Sequence, residues 1–140
     1  MTLELHATPE EVMRAVEALQ AFGQERQVPT KILFGLTVAL EECGANIVNH
    51  ALQRDAHRTF QVSFEHTANE LVIELRDNGP EFDPTLAPAR EPAPEDDDRP
   101  PGGWGIQLVS RYTDEQRYQR IAGENVLCLT KRLDPPSRRN

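Results

Sequence analysis

Residues 40–50 read LEECGANIVNH and hold two helical patterns at once, one apolar and one polar. They lie in a helix predicted from Thr30 to Gln53. Glu42, Asn46 and His50 follow one another at intervals of four and form a polar row on one side of this helix. An apolar stripe at spacings of three and four predicts that another side packs on a core. Its members are Leu33, Leu36, Leu40, Cys43 and Ile47. The polar row either lines a site or simply meets solvent.

The composition of the 140-residue chain predicts one domain with a proper core. The formal net charge of −8 disfavours direct binding to nucleic acid, because a phosphate-backbone binder normally shows a basic stripe. The longest apolar run, at residues 32–40, is too short to span a bilayer, and the N-terminus lacks the pattern of a signal peptide. Cys43 and Cys128 have no metal-ligand spacing and are expected to be reduced core residues. The sequence therefore predicts a cytoplasmic protein with no membrane contact.

Periodic segments on both sides of this helix complete the predicted order of elements. Thr8, Pro9 and Glu11 form a helix-start signature, with Thr8 at the cap. Alternating apolar residues predict strands, the last two of which form a hairpin. The predicted elements are an edge strand at 2–6, a helix from 8 to about 23–27, the helix at 30–53, strands at 60–64 and 71–75, a helix at 106–112, and strands at 116–121 and 125–133.

Residues 84–101 interrupt this regular pattern. Proline is frequent there, and residues 95–98 read EDDD. Such a composition excludes an α-helix and a central strand. It predicts a long, mobile loop, and a loop of this length within a compact domain is usually functional or disordered.

Three short motifs occur in a distinctive order: ECGAN at residues 42–46, DNG at 77–79 and GGWG at 102–105. Each alone is weak evidence, since glycines before a helix and DNG after a strand commonly serve turns. Together they resemble the three boxes of the Bergerat-fold ATPases, which include gyrase, heat-shock chaperones, histidine kinases and mismatch-repair proteins. DNGPEFDP at 77–84 and GIQLV at 105–109 are similar to the compact anti-sigma-factor serine/threonine kinases. The resemblance spans roughly residues 3–133.

The resemblance implies a two-layer α/β sandwich, in which helices cover one face of a mixed, mostly antiparallel sheet. Residues 1–133 would form one histidine-kinase-like ATPase domain with an ATP lid at about 80–103, followed by a polar tail at 134–140. The implied function is an ATP- and Mg²⁺-dependent protein serine/threonine kinase that phosphorylates a small anti-anti-sigma antagonist and sequesters a sigma factor. A homodimer is also compatible with the resemblance.

Two alternatives remain open. One is a non-catalytic ATP-binding interaction module of the same fold. The other, a histidine-kinase catalytic domain, ranks last, because no segment before residue 28 is long enough to supply a phosphoacceptor helix hairpin.

The resemblance also implies roles for residues of the helix at 30–53. Glu42 would accept the proton of an incoming protein hydroxyl during phosphoryl transfer. Asn46 would bind Mg²⁺ through its amide oxygen, a hard ligand suited to this ion. His50 is expected to make a packing or capping contact.

The other implied roles concern the nucleotide. Asp77 would accept a hydrogen bond from the adenine amino group, and Gly79 would leave room for the ring. Thr130 would support the adenine through its hydroxyl. Glycine lets backbone N–H groups approach an anion at a helix start, so the last box would cradle the phosphates. Its residues are Gly102, Gly103 and Gly105.

Overall fold

The computed structural model of the chain describes residues 1–86 and 105–133. These residues form a two-layer α/β sandwich. Its strands are β1 (Thr2–His6), β2 (Thr59–His66), β3 (Glu70–Asp77), β4 (Glu115–Ile121) and β5 (Glu124–Arg132), and its α-helices are α1 (Pro9–Glu25), α2 (Thr30–Asn46) and α3 (Gly105–Tyr112). The sheet order is β1-β2-β3-β5-β4, and each neighbouring pair is antiparallel. The predicted sandwich is confirmed, with an antiparallel rather than mixed sheet in the described residues.

One face of the sheet and the apolar side of α2 form the core. Leu71, Ile73 and Leu75 alternate along β3 and are almost completely buried, as are Leu36 and Leu40 of α2. The intervening residues of β3 are only half-buried. Burying each such side chain stabilises the fold by about 1.5–3 kcal/mol relative to exposure. The period-two and helical patterns of the sequence therefore meet in one core.

The start of α1 is fixed by the predicted cap. The Thr8 hydroxyl accepts a hydrogen bond from the Glu11 backbone N–H at 3.2 Å, and Pro9 opens the helix. The Glu11 carboxylate accepts a hydrogen bond from the His6 backbone N–H at 3.1 Å, which lowers the pKa of Glu11. The first bond satisfies a backbone donor that the first turn leaves free, and the second joins β1 to α1.

Two glycines let α1 and α3 pack closely on α2. A Cβ atom at Gly44 would lie 3.0 Å from Cγ1 of Val12 in α1, and one at Gly35 would lie 2.5 Å from the ring of Tyr112 in α3. Nine residues turn about 900° in an α-helix, which is half a turn beyond two full turns. The two contacts therefore lie on opposite sides of α2, and this helix stands between the other two.

The helix predicted from Thr30 to Gln53 changes geometry after Asn46. It continues as a π-helix at Ile47–Ala51, in which Leu52 N–H donates to the Ile47 carbonyl at 2.8 Å. Because hydrogen bonds in a π-helix span five residues rather than four, the predicted polar row ends at Asn46. His50 is exposed in the last turn.

Among the described residues, one helix is long and apolar enough to cross a membrane by length and composition. It is the combined helix Thr30–Ala51, with a mean hydropathy of 1.2 over its most apolar window. Within that window, 56% is buried inside the protein, and α2 packs on α1, α3 and β3. Its apolar character is accounted for by its place in the core.

Candidate functional site

Asp77 ends β3 and is 6% exposed. Its Oδ1 accepts hydrogen bonds from the Gly79 backbone N–H and from Nδ2 of Asn125, both at 2.9 Å. Within the described residues, both bonds given to this carboxylate use Oδ1. Oδ2 is therefore the acceptor that Asp77 can offer to an external donor such as an amine.

Gly79 lies directly against the end of the π-helix. A Cβ atom at this position would lie 2.7 Å from the Ala51 carbonyl oxygen and 2.8 Å from the Ala51 Cβ. Real Cβ atoms do not approach backbone so closely, so a side chain here would push the turn away from the helix. Because Gly79 has no side chain, the turn that follows Asp77 packs against the end of the helix that carries Glu42 and Asn46.

Asn125 was missed by sequence reasoning, although it is the main partner of this turn. It is 6% exposed and lies opposite Asp77 in the β3–β5 ladder. Its Nδ2 donates to Asp77 Oδ1 and to the Pro80 carbonyl, each at 2.9 Å. Asparagine is depleted in strands, so a buried one signals a specific polar partner. The asparagine in a predicted strand was visible in the sequence, but its hydrogen-bond partner was not.

The other end of the Asn125 amide accepts three hydrogen bonds. The Tyr118 hydroxyl donates to Oδ1 at 2.6 Å, Arg120 donates at 3.1 Å, and the Phe82 backbone N–H donates at 3.2 Å. Tyr118 and Arg120 belong to β4, which joins β5 through a two-residue turn at Ala122 and Gly123. Both turn residues have positive φ, as a two-residue type I′ hairpin turn requires. The final hairpin thus holds the segment that follows Asp77.

Two arginines clamp residues 77–79 from different elements. Arg120 donates to the Gly79 carbonyl at 2.8 Å, and Arg58, just before β2, donates to Oδ1 of Asn78 at 2.9 Å. Charge-assisted bonds of this kind are stronger than neutral ones. The DNG turn is therefore supported from both sides before any ligand binds.

Glu42 and Asn46 lie one turn apart on α2, about 6 Å along its axis. Both are half-buried, whereas Glu41 is exposed. Partial burial raises the pKa of the Glu42 carboxyl, and the neighbouring Glu41 raises it further. A carboxylate with a raised pKa is a better proton acceptor than an ordinary one, so the choice of Glu42 over Glu41 has a physical basis.

The same side of α2 faces α3. Seven residues separate Glu42 from Gly35, which touches Tyr112 of α3, and seven residues turn about 20° short of two full turns. Gly105 is the first residue of α3. Gly102 and Gly103, together with most of the predicted lid and the 134–140 tail, lie outside the described residues.

Thr130 lies far from Asp77, contrary to the prediction that both hold one adenine. In the β3–β5 ladder Asp77 pairs with Asn125, whereas Thr130 pairs with Val72. Five residues of strand correspond to about 17 Å, and an odd separation puts the two side chains on opposite faces of the sheet. The prediction for Thr130 is therefore wrong, and Asn125 lies beside Asp77 instead.

Comparison with known proteins gives the family. Residues 5–131 match the model of the histidine kinase-like ATPase domain. The chain belongs to the histidine kinase-like ATPase domain family. The serine/threonine-protein kinase BtrW of Bordetella bronchiseptica is 32% identical over 136 residues, which cover 97% of this chain and 96% of that protein. The resemblance predicted from the three motifs is therefore confirmed.

Two solved structures share the fold of this histidine kinase-like ATPase domain. The structure of the RsbU and RsbW domains of Rv1364c from Mycobacterium tuberculosis matches with a TM-score of 0.64 at 18% identity, over 97% of this chain and 33% of that longer chain. The SiaB–SiaC complex from Pseudomonas aeruginosa matches with a TM-score of 0.62 at 12% identity, over 95% of this chain and 89% of that one. At these identities the similarity concerns the fold alone, whereas the family membership implies ATP binding.

Proposed function

We propose that this protein is an ATP- and Mg²⁺-dependent protein serine/threonine kinase that acts as an anti-sigma factor in the cytoplasm. The observation that carries the proposal is the docking of the Asp77–Gly79 turn on the helix of Glu42 and Asn46. The same side of the proposed site then holds an acceptor for adenine, a magnesium ligand and a proton acceptor, which are Asp77, Asn46 and Glu42. The similarity to BtrW along nearly the whole of both chains supports the kinase assignment.

The adenine end of the nucleotide binds at Asp77, whose Oδ2 accepts the hydrogen bond of the 6-amino group. Gly79 leaves space for the ring. Gly105, the first residue of α3, and the preceding Gly102 and Gly103 of the same box are assigned to the phosphates by the family resemblance. Asp77 and the start of α3 would therefore bind opposite ends of ATP.

Asn46 supplies one amide oxygen to Mg²⁺. Among the described residues, no group of three or more His, Cys, Asp or Glu side chains forms a metal cage. This donor set fits an ion that usually keeps several waters and binds through substrate phosphates and few protein oxygens. Bound there, the ion would neutralise charge on the β- and γ-phosphates.

Glu42 accepts the proton of the serine or threonine hydroxyl of the protein substrate. The hydroxyl oxygen forms a bond to the γ-phosphorus, the bond from that phosphorus to the β-γ bridging oxygen breaks, and ADP leaves. Because Glu42 lies one turn from Asn46, which would hold Mg²⁺, the hydroxyl that it activates would lie close to the phosphates. The substrate is a small anti-anti-sigma protein.

The regulatory partners are this antagonist and a sigma factor, which the protein sequesters. The SiaB–SiaC complex provides a precedent for a protein partner on this fold. A homodimer through the helix side or through β1, an edge strand that pairs only with β2 in the described sheet, belongs to the same proposal. The net charge of −8 favours protein partners over nucleic acid.

A pull-down from the native cell, with and without ATP, identifies the partners, and transfer of labelled γ-phosphate to the recovered antagonist tests the activity. We expect a phosphoserine or phosphothreonine on the antagonist only with Mg²⁺ and ATP. If the protein binds ATP and its partner but transfers no phosphate, it is a non-catalytic module. If it binds no adenine nucleotide at millimolar concentration, the whole proposal fails.

A further inference from the structure

The orientation of the Asn125 amide is fixed by its surroundings. Three donors meet its Oδ1, and two acceptors, Asp77 Oδ1 and the Pro80 carbonyl, meet its Nδ2. A flipped amide would place oxygen against oxygen at one end and N–H against N–H at the other. The network therefore accepts asparagine in one orientation, and aspartate at this position would repel Asp77.

We propose that Asn125 is a positioning residue that holds the Asp77 carboxylate so that it selects a 6-amino over a 6-oxo purine nucleotide. This inference rests on the nucleotide site of the proposed function. A carboxylate can turn about its terminal torsion, which has broad energy wells. Bonds from both Gly79 and Asn125 to Oδ1 oppose that rotation and leave Oδ2 as the acceptor for the base.

Selection between the two bases depends on this rigidity. The amino group of adenine donates to Oδ2, whereas the 6-oxo group of hypoxanthine would place an oxygen against the carboxylate and leave a buried acceptor unpaired. A carboxylate held by the Gly79 N–H alone can turn away from such a group. Replacing Asn125 should therefore lower the affinity for the 6-amino purine nucleotide while leaving the affinity for the 6-oxo nucleotide nearly unchanged.

The test compares ATP and inosine triphosphate on the full chain by calorimetry with Mg²⁺. We expect Asn125→Ala to weaken ATP binding about tenfold while inosine triphosphate changes by less than about twofold. Gln119→Ala is the matched control, because Gln119 is exposed and pairs with Val126 one step along the same hairpin, on the other face of the sheet. This variant should keep the wild-type ratio of the two affinities.

Tyr118→Phe provides a second variant if Asn125→Ala does not fold. It keeps the aromatic ring but removes the hydroxyl that donates to Asn125 at 2.6 Å, and we expect the ATP preference to fall about threefold. A purely structural role would weaken both nucleotides by the same factor, and that result would overturn the inference. If the wild-type protein binds neither nucleotide, the proposed function fails as well. If it binds ATP and the preference survives in the folded variants, only the role of Asn125 is wrong.

Discussion

Replacing Glu42 by glutamine tests the proposed chemistry most directly. The change keeps the size and helix propensity of a half-buried side chain. It also removes a carboxylate whose charged form is disfavoured by burial, as its raised pKa indicates. We therefore expect no loss of stability in thermal unfolding, and ATP affinity should be unchanged because Glu42 does not bind the nucleotide.

The rate of phosphate transfer should fall by about 10²–10⁴, the usual contribution of a general base. This factor corresponds to about 2.7–5.5 kcal/mol of transition-state stabilisation. Positioning beside Asn46 and the electrostatic effect of the metal remain, so transfer should be slow rather than absent. Single-turnover transfer of labelled phosphate to the antagonist measures this rate separately from product release.

Glu41→Gln is the matched control for this experiment. Glu41 is adjacent, exposed and about 100° away around α2, so its variant should transfer phosphate at nearly the wild-type rate. Wild-type transfer by Glu42→Gln would refute the assignment of the base. If the transfer rate falls strongly in Glu41→Gln but not in Glu42→Gln, then Glu41 is the base.

Three further predictions concern the same side of the proposed site. Asp77→Asn should weaken ATP binding about 10- to 100-fold, because a charged acceptor for the adenine amine is lost, and a calorimetric titration in which it binds like the wild type would contradict this role. Gly79→Ala should destabilise the protein by about 1–3 kcal/mol, because its Cβ would lie 2.7 Å from the Ala51 carbonyl; an unchanged denaturant midpoint would show that the turn moves freely. The pH dependence of transfer should show an acid limb above the ordinary value of 4.5, since the raised pKa of Glu42 keeps this base protonated to higher pH, and the limb should disappear in Glu42→Gln.

Much of the fold could be predicted because local signals and core packing agreed. The cap at Thr8, the alternation of Phe60, Val62 and Phe64 along β2 and the final hairpin are each encoded within a few residues, and the structure has all three. The change to a π-helix after Asn46 could not be predicted, because an apolar stripe continues through it with α-helical spacing. Local pattern cannot show where a helix meets a tertiary contact.

The hydrogen-bond partners of the candidate site residues could not be predicted from the sequence. The motif at 77–79 indicated Asp77 and Gly79, but the neighbour of Asp77 depends on the register between β3 and β5, which are separated by more than forty residues. Choosing Thr130 placed a hydroxyl on the correct strand but on the wrong face. Asn125 follows only from the ladder itself, since its partners come from β3, β4 and the segment after Asp77.

The number of residues in the π-helical turn at Ile47–Ala51 determines how the end of the helix meets the DNG turn. Gly79 lies against the backbone carbonyl and the Cβ of Ala51, whereas the side chains of Asn49 and His50 in the same turn are exposed. Deleting one residue from this turn would allow ordinary α-helical spacing but rotate the following residue by about 100° relative to Asn46. The helix would have regular α-helical hydrogen bonds, but its last residues would no longer pack against the DNG turn. Substitutions at the exposed positions of this segment should therefore be tolerated far better than a single-residue deletion.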